Sequence, residues 1–309
     1  MKRWLEWQGL PRRKRRRVSR KTSGQWPVVS GRCFVRANGR SPLLFFILVI
    51  ILLFSACDKS GEDAYKKADE LWSAGKYNEA VAQYEVISKK GTGRLVADSL
   101  YQIGNIYYLN LRDYQKAIEA YRRLVEISPG SPFSPDAQRK IADIYKDKFG
   151  DLRGAIAEYQ HFAKVFPKEA DKAMYQTAQC YALLKEFAKA REQYEAILKD
   201  APDIDYKDEV YYQIANSYYL EGKTGEAKKG FEEFLGKFPE SKLVPDARLG
   251  IALAYEEEGN LAEALSRLTQ LKGVYHNQRA LELRITGIRE RIAAKKRPVS
   301  VRALKRKRK

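Results

Sequence analysis

Histidine and cysteine have the widest chemical range of the side chains here, and both are scarce. His161 and His276 are the only histidines among 309 residues. Neither has a second histidine four residues away or a paired cysteine, so the sequence predicts no metal site. It also contains no glycine-rich phosphate loop and no nucleophile elbow. We therefore predict no catalytic residue, no cofactor and no metal ligand. A protein that is not an enzyme is expected, with an unrecognised active site as the alternative.

Cys57 is the one cysteine whose neighbours indicate a chemistry. Residues 43–54 are twelve consecutive apolar residues, the length of a signal-peptide core and shorter than the roughly 20 that span a membrane. Basic residues precede this core, and Ser55-Ala56-Cys57 follows it. The segment resembles the lipobox of bacterial lipoproteins, although Phe54 stands where leucine is more usual. The resemblance implies cleavage before Cys57, acylation of its thiol (with palmitate) and a membrane-anchored protein. A short uncleaved anchor is the alternative.

The other two cysteines do not suggest a second chemistry. Cys33 lies in the leader that the resemblance implies is removed, which leaves Cys180 alone in the mature chain. One thiol cannot form an internal disulfide. Because Cys180 stands among apolar residues with helical spacing, we expect a small buried side chain.

The net charge of +19 is concentrated at the two ends of the chain. Residues 1–57 contain 13 Lys or Arg and one acid, residues 295–309 contain nine bases and no acid, and the rest is nearly balanced. A basic run before an export signal is typical of a disordered leader, so no nucleic-acid partner is expected. Residues 295–309 are predicted either to contact anionic lipid headgroups or to form a solvated end, and both alternatives stay open.

The region between the two basic ends is repetitive. YQIGNIYYL at residues 101–109 recurs as YQIANSYYL at 212–220, after 111 residues or three periods of 37. Periods of 20–50 residues indicate a solenoid. Alanines keep this period, and each is followed by large side chains four and seven residues later, on one helical face. The alanines are Ala80, Ala117, Ala155, Ala190, Ala227 and Ala264.

A second set of small residues precedes these alanines by twelve or thirteen positions. They are Ala68, Gly104, Ala142, Ala178, Ala215 and Ala252. The two sets predict two helices per repeat, A and B, which cross where only small side chains fit. Turn glycines between A and B and prolines after B bound the helices. These residues are Gly75, Gly222, Gly259, Pro129, Pro167, Pro202 and Pro239.

Together these residues resemble the tetratricopeptide repeat. The resemblance implies an all-α, right-handed α-solenoid of about six helix pairs with a C-terminal capping helix. The predicted domains are a basic leader with a lipoprotein signal peptide (1–57), six repeats (58–276), the capping helix (277–294) and a basic disordered tail (295–309). Repeats two and three each carry one extra residue in the A–B turn.

The resemblance also implies a groove lined by helix A. If the small residue of helix A is counted as position eight of its repeat, the inward positions are five, nine and twelve. The predicted partner-binding residues are Tyr65, Asp69, Trp72, Tyr101, Asn105, Tyr108, Arg139, Tyr175, Gln179, Tyr212, Asn216 and Tyr219. Tyrosines and amides in such a groove suit other envelope proteins or extended peptides. For the tyrosines at position five, packing between helices is an equal alternative. Trp72, Tyr108 and Tyr219 are expected to be exposed, and Arg139 to join a local ion network with Asp143 and Lys146.

Two junctions narrow the resemblance further. Residues 131–137 and 240–247 both combine serine with Pro-Asp-Ala at the start of a helix. They resemble the BamD-type lipoproteins of outer-membrane protein assembly and the Tol-associated coordinator of cell division. The implied function is a periplasmic scaffold for protein–protein interactions, foremost in outer-membrane protein assembly. A cell-wall or division coordinator, or an accessory subunit of an envelope enzyme, is the alternative. The outer membrane is favoured, although Asp58 resembles an inner-membrane retention signal.

Overall fold

The computed structural model describes residues 61–90 and 93–296. All of them belong to the second of two compact units of the chain, Leu52–Lys309. The predicted signal segment, Cys57 and residues 297–309 lie outside the described residues.

Thirteen helices follow one another in the described part of the chain. They are α1 (61–73), α2 (Tyr77–Lys90), α3 (Arg94–Ile106), α4 (Tyr114–Ile127), α5 (Ser134–Ile144), α6 (Leu152–Val165), α7 (Ala170–Leu183), α8 (Phe187–Asp200), α9 (Lys207–Leu220), α10 (Thr224–Lys237), α11 (Val244–Glu257), α12 (Leu261–Gln270) and α13 (Gln278–Lys296). From α2 onward, each helix packs chiefly against its neighbours in sequence. The pairs α1–α2 to α11–α12 form repeats one to six, with helix A first and helix B second. The predicted all-α repeat solenoid is confirmed.

Small residues lie at the A–B crossings as the sequence predicts. The six alanines of helix B and the five alanines of helix A are fully buried. In repeat two, a Cβ atom at Gly104 would collide with the ring of Tyr121 on the facing helix. The close approach of the helix axes therefore depends on these small side chains, and the large residues around them fill the remaining space.

The A–B turns use two different geometries. Gly75, Gly222 and Gly259 have positive φ angles of 75°, 81° and 77°, which explains the preference for glycine at these turns. In repeats two and three, the extra residue is absorbed by one π-helical turn, at Tyr107–Leu111 and Tyr145–Phe149.

An aspartate caps the B helix after each π turn. The side chain of Asp113 accepts a hydrogen bond from the backbone N–H of Lys116 at 3.1 Å. The side chain of Asp151 accepts one from the backbone N–H of Gly154 at 2.9 Å. Each bond satisfies an N–H group that the first turn of a helix leaves without an intrahelical partner.

Helix α13 covers the apolar face of the last repeat. Leu281, Ile285 and Ile288 are buried in one cluster with α12 residues such as Leu268. Arg284 and Arg291 of α13 both donate to Glu256 of α11, at 2.7 and 2.5 Å. The terminal repeat thus has a cap that the end of a solenoid requires. Within residues 61–90 and 93–296, no helix combines the length and apolarity needed to cross a bilayer.

Candidate protein-binding surface

The predicted partner-binding residues all lie on A helices or on their π turns. We call the surface formed by positions five, nine, twelve and thirteen of the A helices the A-helix surface. Repeats one, two and five each contribute three of the predicted residues, repeat four contributes two, and Arg139 is the contribution of repeat three. Cys57, the predicted lipidation site, lies outside the described residues.

The tyrosines at position five pack against an aromatic ring of the B helix in their own repeat. The ring centroids are 5.2 Å apart for Tyr65 and Tyr84 and 5.5 Å apart for Tyr175 and Tyr194. The same contact is made by Tyr101 with Tyr121 at 6.1 Å and by Tyr212 with Phe231 at 5.6 Å. Burial raises the pKa of Tyr212 to about 12, so its phenol stays neutral. These half-buried rings therefore hold helices A and B together.

The polar residues at position nine have internal partners in the first three repeats. A buried tyrosine of helix B donates its hydroxyl hydrogen to Asp69 in repeat one and to Asn105, at 2.9 Å, in repeat two. Tyr159 donates to Asp143 in the same way in repeat three. A buried phenol needs an acceptor, because an unmade hydrogen bond costs about 1–3 kcal/mol. Asp69 and Asn105 therefore stabilise the fold, and their contact with a partner stays a prediction.

Position nine changes in the later repeats. Asn216 of repeat five is half-buried and lies in the repeat whose B-helix ring is Phe231, which has no hydroxyl to donate. Gln179 of repeat four is also half-buried, opposite Tyr194. No B-helix phenol of its own repeat therefore needs the Asn216 amide as a hydrogen-bond acceptor. Of the predicted amides, Asn216 is the best suited to hydrogen bonding with the backbone of a partner.

The rings at position twelve bridge to the A helix of the next repeat. Trp72 donates its indole N–H to Asn110 at 3.0 Å, and Tyr219 donates to Glu257 at 2.7 Å. The ring of Tyr108 lies 5.5 Å from the ammonium groups of both Lys140 and Lys148. The predicted exposure is reduced by these contacts, since all three rings are half-buried.

Arg139 is part of an ion network, as expected for this residue. Its guanidinium pairs with Asp143 at 3.2 Å and with Asp136. Burial alone would raise the pKa of Asp136, but the Tyr101 hydroxyl and the nearby Arg139 and Lys140 lower it. Lys146 was also expected in this network, but it pairs with Asp147 and donates to Gln176 instead.

Three exposed leucines on the A-helix surface are absent from the predicted site. Leu109, Leu183 and Leu220 are 59%, 64% and 53% exposed. All three occupy position thirteen, in repeats two, four and five, and repeat three carries Asp147 there. Comparing position thirteen across the repeats would have found them, because an exposed face seldom repeats a leucine in register.

The chemistry of the described residues suits binding. Among them, no three His, Cys, Asp or Glu side chains are close enough to hold a metal ion. His161 is exposed on α6. Cys180 is buried, and burial raises the pKa of its thiol to about 11, so it stays protonated and unreactive. Leucines, half-buried rings and amides together offer apolar contact and hydrogen bonds to a protein partner.

Family models and solved structures agree on the repeat. A model of the tetratricopeptide repeat matches residues 65–132 and 145–203, and a second model of that repeat matches residues 209–241 and 246–275. The C-terminal part of a repeat-containing protein from Cytophaga hutchinsonii aligns with a TM-score of 0.54 and 19% identity, over 76% of this chain and 92% of that one. A tetratricopeptide repeat protein from Parabacteroides merdae aligns with a TM-score of 0.50 and 17% identity, over 75% and 88% of the two chains. Such identities concern the fold alone. The comparison with curated proteins found no significant match.

Proposed function

Because the chain belongs to the tetratricopeptide repeat proteins, which are typically non-enzymatic scaffolds that bind other proteins, we propose that it is a lipid-anchored, periplasm-facing scaffold of a bacterial envelope complex. The complex that we propose for it is the one that assembles outer-membrane proteins. The signal-like segment before Cys57 supports the anchor, since acyl chains on a cysteine bind membranes by about 0.8 kcal/mol per buried CH₂.

The repeated exposure of leucine at position thirteen carries the proposal. Large apolar side chains that stay exposed in register on one helical surface indicate a docking site for a protein. Leu183 and Leu220 belong to consecutive repeats. Leu109 lies two repeats before Leu183, and Asp147 occupies the same position in the repeat between them. Leu109 and Leu220 each follow a position-twelve ring, Tyr108 or Tyr219, that the next repeat holds in place, so these rings offer apolar area at low entropic cost.

A cell-wall or cell-division coordinator, or an accessory subunit of an envelope enzyme complex, is the second candidate function. Asp58 follows Cys57 directly and resembles an inner-membrane retention signal, which supports this second function. The Pro-Asp-Ala junctions fit this role equally well, because they resemble both the assembly lipoproteins and the Tol-associated coordinator. The identity of the co-purifying proteins separates the two functions.

The test is capture of partners from solubilised membranes by the full chain. We expect outer-membrane barrel-assembly components to co-purify with the wild type and to be lost from a Leu109→Ser, Leu183→Ser, Leu220→Ser variant. The leucines are exposed, so the melting temperature should change little. The matched control is Val86→Ser with Leu283→Ser, which removes a valine and a leucine side chain that are 47% and 68% exposed on α2 and α13.

Each outcome has a clear meaning. Equal capture by the leucine variant and the wild type would overturn the A-helix surface as the docking site. Co-purification of cell-wall synthases or Tol-system proteins would select the second function. A Cys57→Ser variant should move from the membrane to the soluble fraction, and continued membrane attachment would contradict the lipid anchor.

A further inference from the structure

Four of the B helices end in one and the same backbone conformation. The residue that follows each helix is Ser128, Phe166, Ala201 or Phe238. Its φ angle lies between −136° and −123°, and its ψ angle between 59° and 69°. Each donates its N–H to the carbonyl four residues earlier at 2.8–2.9 Å. The four Cβ atoms therefore leave equivalent positions of the repeat in the same direction.

In repeats three and five, a phenylalanine uses this direction to pack against its own repeat. Phe166 lies 5.2 Å from Phe162, centroid to centroid. Phe238 lies 5.7 Å from Phe234 of the same B helix and 5.4 Å from Tyr211 of the facing A helix. Both rings are half-buried. A ring at this position fills the space between the end of helix B and the start of helix A.

In repeat two, the equivalent residue is Ser128, and the space beside it is a pocket. The pocket has a volume of about 760 Å³, which is within the usual range for ligand sites. Its apolar lining includes Val96 and Ala97 of α3, Ile127 of α4 and Pro132 of the following junction. Ile127 is 52% exposed even though it lines the pocket. The chain thus lacks, in this repeat, the ring that it supplies to repeats three and five.

The charge of the pocket is positive. Arg94 is the one charged residue among the described residues of its lining. The guanidinium of Arg123 donates to the carbonyl of Ser88, another lining residue, at 3.5 Å. The Arg94 side chain is 82% exposed, and its pair with Asp98 is 3.3 Å long. The Asp98 side chain is only 14% exposed, but the exposed guanidinium of Arg94 has further N–H donors, so Arg94 can pair with a second carboxylate while it keeps Asp98.

We propose that this pocket binds an aromatic side chain of a protein partner, with a carboxylate of the same partner segment paired to Arg94. The ring takes the place that Phe166 and Phe238 occupy in their own repeats. The pocket is formed by the C-terminal end of helix B and the junctions, so it is a second site, separate from the A-helix surface. The proposal therefore stands or falls independently of the leucines at position thirteen.

A small aromatic acid tests the site directly. We use 4-fluorophenylacetate as the probe and follow its fluorine NMR line width in titrations of the full chain. Saturable binding with a dissociation constant of roughly millimolar order is expected for a ligand of this size. Ser128→Phe, which fills the pocket with the ring of the chain's own repeats, should weaken binding at least tenfold. Ala201→Phe, at the same position of repeat four, is the matched control and should bind as the wild type does.

The carboxylate is tested with the neutral 4-fluorophenylacetamide. It should bind more weakly than the acid to the wild type, and Arg94→Gln should remove this difference. If Ser128→Phe proves to be unfolded, Ile127→Trp closes the pocket from an exposed position instead. Absence of saturable binding, equal binding to the filled and wild-type pockets, or loss in Ala201→Phe as well would overturn the proposal. Equal binding of acid and amide would overturn its carboxylate part.

Discussion

One position of helix B holds an apolar side chain at the first three repeat interfaces and a cation at the last two. This position follows the alanine at the A–B crossing. It holds Val81, Ile118 and Ile156 in repeats one to three, and Arg191 and Lys228 in repeats four and five. The solenoid therefore stacks through an apolar side chain in its first half and through a cation in its second half.

In the apolar interfaces this position is buried. Ile118 is fully buried, and Tyr145 of the next A helix packs against the same cluster. Val81 and Ile156 are 5% and 6% exposed. Burial of such side chains stabilises by about 25 cal/mol per Å² and has no preference for direction or charge.

In the ionic interfaces, the cation contacts an aromatic ring and a carboxylate of the next repeat. The guanidinium of Arg191 lies 4.0 Å above the ring of Tyr218, pairs with Glu221 at 2.6 Å and donates to Ser217 at 3.3 Å. Lys228 repeats the arrangement one repeat later, 4.2 Å from the ring of Tyr255. Its ammonium pairs with Glu258 at 2.6 Å.

The difference predicts how the stability of each half of the array responds to pH and to changes of side-chain volume. A cation taken out of water is costly unless its partners stay charged and in place. In a solenoid, stability is close to a sum of repeat and interface contributions. We therefore expect the second half of the array to respond to charge and acidity, and the first half to respond to volume.

Replacement of Ile118 by alanine should have the largest effect. The loss of a fully buried isoleucine leaves a cavity, and such changes cost roughly 2–5 kcal/mol. Urea unfolding of the wild type and the variant measures the difference. Val86→Ala is the control, since Val86 is 47% exposed on α2. A cost below about 1 kcal/mol would contradict a tightly packed apolar interface.

Replacement of Glu221 by glutamine should have an intermediate effect. It leaves the buried guanidinium of Arg191 without its anion, and loss of a charged hydrogen bond costs about 1.5–3 kcal/mol. Glu258→Gln should cost less, because the Lys228 side chain is 19% exposed and that of Arg191 only 7%. Hydrogen exchange of α9 and α11 reports the two interfaces separately. Equal losses at both sites would show that burial of the cation does not set the cost.

Sequence reasoning predicted the parts of the fold that depend on spacing. The crossing alanines, the turn glycines and the helix-ending prolines recur with one period, so each repeat supports the interpretation of the others. Gly104 was predictable as one of the small residues at the crossings, but only the structure shows that the Tyr121 ring leaves no room for a Cβ atom there. The extra residue in repeats two and three was visible as well, but its absorption into a π turn was not, since a longer loop would have fitted the same sequence.

The candidate site was less predictable, because its residues act through partners that spacing does not reveal. Asp69 and Asn105 look like groove residues by register, and only the structure shows the phenols of Tyr84 and Tyr121 that use them. The stack of Arg191 on Tyr218 has no sequence signal beyond a charge at an apolar position. The pocket beside Ser128 required a comparison of backbone angles across four repeats.

Acid should have the smallest effect and should act on the ionic interfaces. Burial opposes the shift at Glu221, but hydrogen bonds from Lys223 and Arg191 hold its pKa below its usual range. Lys228 and Thr224 lower the pKa of Glu258. This stabilisation is therefore complete above the unfolded pKa of about 4.3 and is lost as the pH falls through the lower folded values. Both carboxylates are partly solvated, so we expect the loss for each pair to stay below that of the corresponding glutamine variant.

A double variant, Arg191→Met with Lys228→Met, isolates this contribution. Methionine keeps an apolar stem on Tyr218 and Tyr255, so stability at neutral pH should change by less than about 1.5 kcal/mol. Hydrogen exchange of α9 and α11 at pH 6 and pH 3, corrected for intrinsic rates, should show a smaller acid-induced loss in the variant than in the wild type. Acid also protonates Asp136 in repeat three, which is present in both proteins and cancels in the difference. Equal losses in the two proteins would mean that the Arg191 and Lys228 interfaces do not carry the acid response of the second half of the array.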